Sequence, residues 1–93
     1  MKDVIRKTLE AGTETTFEMR LKRSQFMVKN FTNGFIKVRL GDNVNDSMIG
    51  PSSWERVFNN IDNVGGRVIP IVTDVLHITS DAGGIVEVVS IDD

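Results

Sequence analysis

His77 is the only histidine in 93 residues, and the chain has no cysteine. Acting as a general base, it would need a nucleophile and an orienting acid brought from elsewhere in the fold. Neither a nucleophile elbow nor an HExxH-like spacing is present. The alternation in Val75-Leu76-His77-Ile78-Thr79 puts the imidazole opposite Leu76 and Ile78, as expected of a surface or interface histidine. Asp42 with Asp46 and Asp92 with Asp93 are the candidate carboxylate pairs. They occupy a turn-rich loop and the last two positions, with no apolar setting to raise one pKa for acid catalysis. A calcium loop starting at Asp42 would need an oxygen ligand at its third position and glycine at its sixth, where Val44 and Ser47 stand. Gly65-Gly66 and Gly83-Gly84 lack the following Lys-Ser/Thr of a phosphate loop and read as turns. Asn30-Phe31-Thr32 and Asn45-Asp46-Ser47 match the glycosylation pattern, a chance match if the chain is unexported. The expectation is therefore a protein with no catalytic residue, cofactor or metal.

Composition agrees with a folded domain whose surfaces are its function. A chain of 10.4 kDa has room for one core, and 40% hydrophobic with 26% charged residues is ordinary globular composition. No apolar run approaches the roughly 20 residues of a membrane helix, and residues 1–7 lack the apolar stretch of a secretory leader, so the expected site of synthesis is the cytoplasm. The net charge of -2 conceals a polarity: residues 1–40 hold nine bases and four acids, and residues 41–93 hold two bases and nine acids. Intramolecular neutralisation, complementary contacts between subunits and a basic face for a polyanion are the three readings. Nucleic acid is disfavoured, because the pI is about 5.3 and the one dense basic cluster, Arg20, Lys22 and Arg23, has no interleaved aromatics.

The elements that would carry these groups read as β structure throughout. Residues 13–22 alternate, with Phe17, Met19 and Leu21 on one face and Glu18, Arg20 and Lys22 on the other. Asn33-Gly34 between two β-rich flanks predicts a type I′ hairpin. Its register would pair Phe31 with Ile36, Lys29 with Val38 and Met27 with Leu40. Those apolar residues would then face the core with Lys29 as a misfit, leaving Val28, Asn30, Lys37 and Arg39 on the opposite face. Ser52 with Glu55 has capping-box spacing and would start a short helix over 52–61; the alternative, slightly favoured, is a strand with Trp54, Arg56 and Phe58 on one face. In either form Trp54 is a core or interface anchor. Residues 62–66 read as a loop, and Pro70 places its segment at an edge or bend. Residues 75–79 and 85–91 flank a second expected hairpin, and the Val-rich last strand suits a sandwich interior or an oligomer seam. The fold class is thus all-β, a small antiparallel sandwich or barrel over 13–93, with residues 1–12 as an amino-terminal arm or extra strand. The expected interface residues are Arg20, Lys22, Arg23, Trp54, Val86 and Val88.

The segment Phe26-Met27-Val28-Lys29-Asn30-Phe31-Thr32-Asn33-Gly34-Phe35-Ile36-Lys37-Val38 resembles the opening strands of small phage and prophage proteins. Gly50-Pro51-Ser52-Ser53-Trp54-Glu55-Arg56-Val57 looks like their Pro-Ser-Trp segment, and Gly83-Gly84-Ile85-Val86-Glu87-Val88 continues the similarity. The resemblance spans roughly residues 25–91 and implies a compact β-sandwich or barrel serving as a minor or auxiliary virion component, on head or tail, usually as a symmetric oligomer. The implied partners are further copies of the chain and other virion proteins. It carries no catalytic residue. Two rivals are a carbohydrate- or ligand-binding module, with Trp54 or Phe35 as a stacking platform and Asn59, Asn60 and Asp62 as hydrogen-bonding groups, and a cupin-like enzyme, for which one histidine is too few.

Overall fold

A computed structural model describes residues 3–41, 46–58, 61–64, 67–70 and 72–91. Ten strands follow in order: β1 (Val4–Leu9), β2 (Glu14–Arg23), β3 (Gln25–Asn30), β4 (Ile36–Leu40), β5 (Ser47–Ile49), β6 (Trp54–Phe58), β7 (Ile61–Val64), β8 (Arg67–Pro70), β9 (Thr73–Ser80) and β10 (Gly84–Ser90). Eight of them form two four-stranded antiparallel sheets, ordered β1-β10-β3-β6 and β2-β9-β4-β5, and β7 pairs with β8. The chain is a small β-sandwich. Its core lies between the sheets, where alternate positions meet: Leu9, Phe26, Val28, Val57, Val86 and Val88 from the first, and Phe17, Met19, Ile36, Val38, Leu40, Ile49, Leu76 and Ile78 from the second. β2 follows the expected alternation, with Phe17 and Met19 buried and Glu18, Arg20 and Lys22 exposed.

Both expected hairpins are absent as such. β3 lies in the first sheet and β4 in the second, so residues 31–35 carry the chain across the sandwich. Neither Asn33 nor Gly34 has the positive φ that a type I′ turn requires. The facing is correspondingly inverted in β3: Phe26, Val28 and Asn30 point inward, and Met27 and Lys29 outward. An apolar count alone cannot choose between these phases, since Val28 competes with Met27 and Phe26 with Phe31. Likewise β9 and β10 belong to different sheets, with Gly83 (φ 76°) and Gly84 (φ 133°) turning the chain between them. A Cβ on Gly83 would meet the Ala11 amide nitrogen at 3.0 Å and the Leu9 carbonyl oxygen at 3.1 Å, so this turn is closed against the β1–β2 turn. Of the two readings for 52–61, the slightly favoured strand is the one observed: 54–58 is β6, with Trp54 and Arg56 exposed on one face and Val57 buried, no helix occurs among the described residues, and residues 59–60 lie outside them. Of residues 62–66, read as a loop, 62–64 belong instead to β7, whose partner β8 ends at Pro70, and 65–66 lie outside the described residues. The calcium-loop question at 42–45 falls outside the described residues.

Crossing between sheets strands backbone groups in the interior, and buried polar side chains take them up. Asn30 is fully buried, and its amide nitrogen donates to the carbonyls of Gly34 (2.9 Å), Gly50 (2.9 Å) and, at 3.2 Å, Ile49. Its Oδ1 accepts from the Thr32 amide at 2.9 Å and lies 2.7 Å from the Thr32 hydroxyl. One amide thus fastens the 31–35 crossover to the β5–β6 connection, and its burial makes the glycosylation match at Asn30 unusable in the folded chain. Asp3 plays the same part for β2, whose register with β9 slips between Glu18 and Arg23. Its carboxylate accepts from the amides of Arg20 and Leu21, both at 2.8 Å. The extent of β1 is likewise tied down by Lys7, whose ammonium donates to the Thr16 carbonyl at 2.9 Å. Replacing Asn30 with Ala should cost about 2–3 kcal/mol or more, because several buried groups lose partners at once. Urea unfolding checks it, and a loss below about 0.5 kcal/mol would contradict the role given to this amide.

Candidate functional site

The two outer faces of the sandwich differ. On the second sheet, Glu14, Thr16, Glu18, Arg20 and Lys22 of β2 lie beside Val75, His77 and Thr79 of β9 and Lys37 and Arg39 of β4, a polar face. Glu14 pairs with Arg39 at 3.0 Å, and the Thr16 hydroxyl sits 3.3 Å from His77 Nδ1. His77 is therefore a half-buried residue of an outer face, and no group of three or more His, Cys, Asp or Glu placed to hold a metal ion occurs among the described residues.

The outer face of the first sheet is amphipathic. Strand register lines up Arg6, Glu87, Lys29 and Trp54 in one row across β1, β10, β3 and β6. The next row is Val4, Val89, Met27 and Arg56. On the other side of the Lys29 row, Phe31 continues β3, its amide donating to the Ile85 carbonyl at 3.1 Å. Trp54 is 59% exposed, Val4 58%, Phe31 42% and Ile85 40%, so four of the seven large exposed hydrophobic side chains among the described residues share this face. Scattered exposed apolar residues are ordinary, but a contiguous set bordered by charge marks a contact surface.

Charge and aromatic groups here are joined in one network. Arg6 Nε and NH2 both reach Glu87 Oε2, at 3.0 and 2.7 Å, and Lys29 Nζ lies 3.3 Å from Oε1. The Lys29 ammonium also lies 4.8 Å from the Trp54 ring centroid, and the Arg6 guanidinium 5.5 Å from that of Phe31. The two rings meet edge to face at 6.1 Å. Such cation–ring and ring–ring contacts fix side chains that would otherwise sample many rotamers, which lowers the entropic cost of binding to them. The Arg6 hydrogen bonds hold the Glu87 carboxyl below its ordinary 4.5; burial works against them, and Lys29 adds to the lowering.

The expected interface residues divide. Val86 and Val88 are fully buried between the sheets and cannot form an interface; the Val-rich strand is central in its sheet rather than an oligomer seam. Arg20 and Lys22 are exposed and Arg23 half-buried on edge strand β2, on the sandwich's other sheet from Trp54. Trp54 is not a core residue, and it is the member of the set lying on the amphipathic face. Arg6, Lys29, Phe31 and Glu87 were not singled out as site residues, although Lys29 stood out as a charge in an apolar strand. Asn59 and Asn60 of the stacking-platform alternative lie outside the described residues.

Fold and surface together define an all-β sandwich with one rigid, basic, aromatic outer face. No family model, curated protein or solved structure matches the chain.

Because the folded Glu87 pKa lies below its unfolded value, this carboxylate contributes stability above about pH 4.5 that is lost as pH falls through the lower folded value. Glu87→Gln should therefore be less stable than the unmodified chain at neutral pH, with the gap narrowing in acid. Denaturation midpoints followed down from about pH 7 test this; a gap that stays constant or widens in acid would rule it out.

Proposed function

We propose that the chain is a non-enzymatic structural or assembly protein, a minor or auxiliary component of a phage or prophage virion that works as a symmetric oligomer. It would be made in the host cytoplasm and act in the virion, with further copies and other virion proteins as partners. The observation that carries the assembly reading is the amphipathic outer face of the β1-β10-β3-β6 sheet, where Trp54 and Phe31 stand exposed among ordered cations. Interfaces are enriched in Trp, Phe and Arg in this manner, with aromatic anchors at the centre. The virion setting is supported by the resemblance across residues 25–91. Light scattering at low and high salt tests the assembly reading. A discrete oligomer whose mass falls at high salt is expected; a monomer at every concentration would overturn it.

One observation favours a second reading. The Trp54 ring is exposed and has Lys29 against one face, so its other face could stack on a sugar. Titration of Trp54 fluorescence with sugars separates the two: saturable quenching by a particular sugar supports the ligand-binding module, and no change supports assembly.

A further inference from the structure

The charge on this face restricts what can cover it. Among the described residues in these rows, Arg6, Lys29 and Arg56 face outward against one carboxylate, Glu87, which both Arg6 and Lys29 already engage. Arg56 is exposed with no ion pair among the described residues. Two such faces meeting about a twofold axis would set cations against cations, so a self-complementary contact is disfavoured. The complement is a surface offering carboxylates beside an apolar group.

The chain presents one at an end of the sandwich. There the β1–β2 turn, the 31–35 crossover and the β9–β10 turn meet: Ala11 bridges Ser80, the Gly12 amide donates to the Ser80 carbonyl at 2.8 Å, and the Asp81 amide donates to the Phe35 carbonyl at 3.1 Å. Glu10 and Asp81 are exposed, and neither carboxylate holds an ion pair among the described residues. Phe35, whose carbonyl takes the Asp81 amide, is 50% exposed at the same end. Resting on the assembly reading, we propose that the basic aromatic face of one copy receives the Glu10–Phe35–Asp81 end of a second copy, head to tail. Two exposed carboxylates and an exposed phenyl ring at one end would meet cations beside an indole, so the two surfaces are complementary in charge and in apolar character. Because each copy gives one surface and receives on another, the contact propagates and closes into a ring where the rotation permits.

Two doubly substituted chains test the pairing: a face variant, Trp54→Ala with Arg56→Glu, and an end variant, Glu10→Lys with Asp81→Lys. Each alone should self-associate at least about tenfold more weakly than the unmodified chain. Mixed in equal amounts they keep one intact junction, so the expected product is a heterodimer of twice the monomer mass. Either variant assembling like the unmodified chain, or a mixture that stays monomeric, would overturn the pairing. An unmodified chain that is itself monomeric would overturn the assembly reading beneath it, so the two failures are distinguishable. Circular dichroism confirms the fold of each variant, and Arg56→Glu and Asp81→Lys singly replace any double variant that loses it.

Discussion

A chain that repeatedly changes sheets must satisfy its backbone at every crossing, and this constraint organises the molecule. Among the described connections joining strands of the two four-stranded sheets, only β4 to β5 stays within a sheet. Each crossing takes amides and carbonyls off a ladder and into the interior, where an unpaired group costs about 1–3 kcal/mol. The buried polar residues sit where this cost arises. Asn30 and Thr32 serve the β3–β4 crossing. Ser80 accepts from Gly83 at the β9–β10 crossing, and Ser90 accepts from the Asp3 amide where β1 begins. Asp3 in turn supplies the slipped segment of β2.

Placing these polar groups at the ends leaves the middle of the interior apolar, with Phe17, Phe26, Leu76 and Ile78 fully buried. It also relieves the outer face of β1-β10-β3-β6 of any part in closing the core. Glu87 is the exception among buried charged groups: it is covered on that outer face, and its neighbours Arg6 and Lys29 cover it. A carboxylate in the middle of a Val-rich strand therefore holds two cations in place over two aromatic rings.

Strand content was legible because alternation is a local property, and β2 shows it plainly in Phe17, Met19 and Leu21. Partnering was not legible, because Asn33-Gly34 and Ser80 to Gly84 advertise tight turns whether the next strand returns to the same sheet or crosses to the other. The deciding group is Asn30, whose role depends on carbonyls at positions 49 and 50, far along the chain. Once the expected hairpin fails, the phase of β3 inverts with it, exchanging Val28 for Met27. Of the residues on the amphipathic face, Trp54 could be found from its type and from the spacing that puts it on one face with Arg56. Glu87, Arg6 and Lys29 come together only through the β1-β10-β3 register, which no local pattern encodes.

The opposed charges of the two halves of the chain acquire a spatial meaning in this fold. Simple internal neutralisation would pair acids of residues 41–93 with bases of residues 1–40. Among the described ion pairs Glu87 alone does so, while Glu14–Arg39 and Asp3–Arg20 join groups within the first half. Bases concentrate on strands, where long side chains lie flat over the sheet, and although Glu14, Glu18 and Glu55 are exposed acids on strands too, Glu10 and Asp81 stand at the turns of one end. Charge polarity along the sequence thus becomes a difference between the faces of the sandwich and its end. A difference of that kind stays open on each subunit, because face and end point in different directions, and this open charge is the ground on which the proposed head-to-tail contact rests.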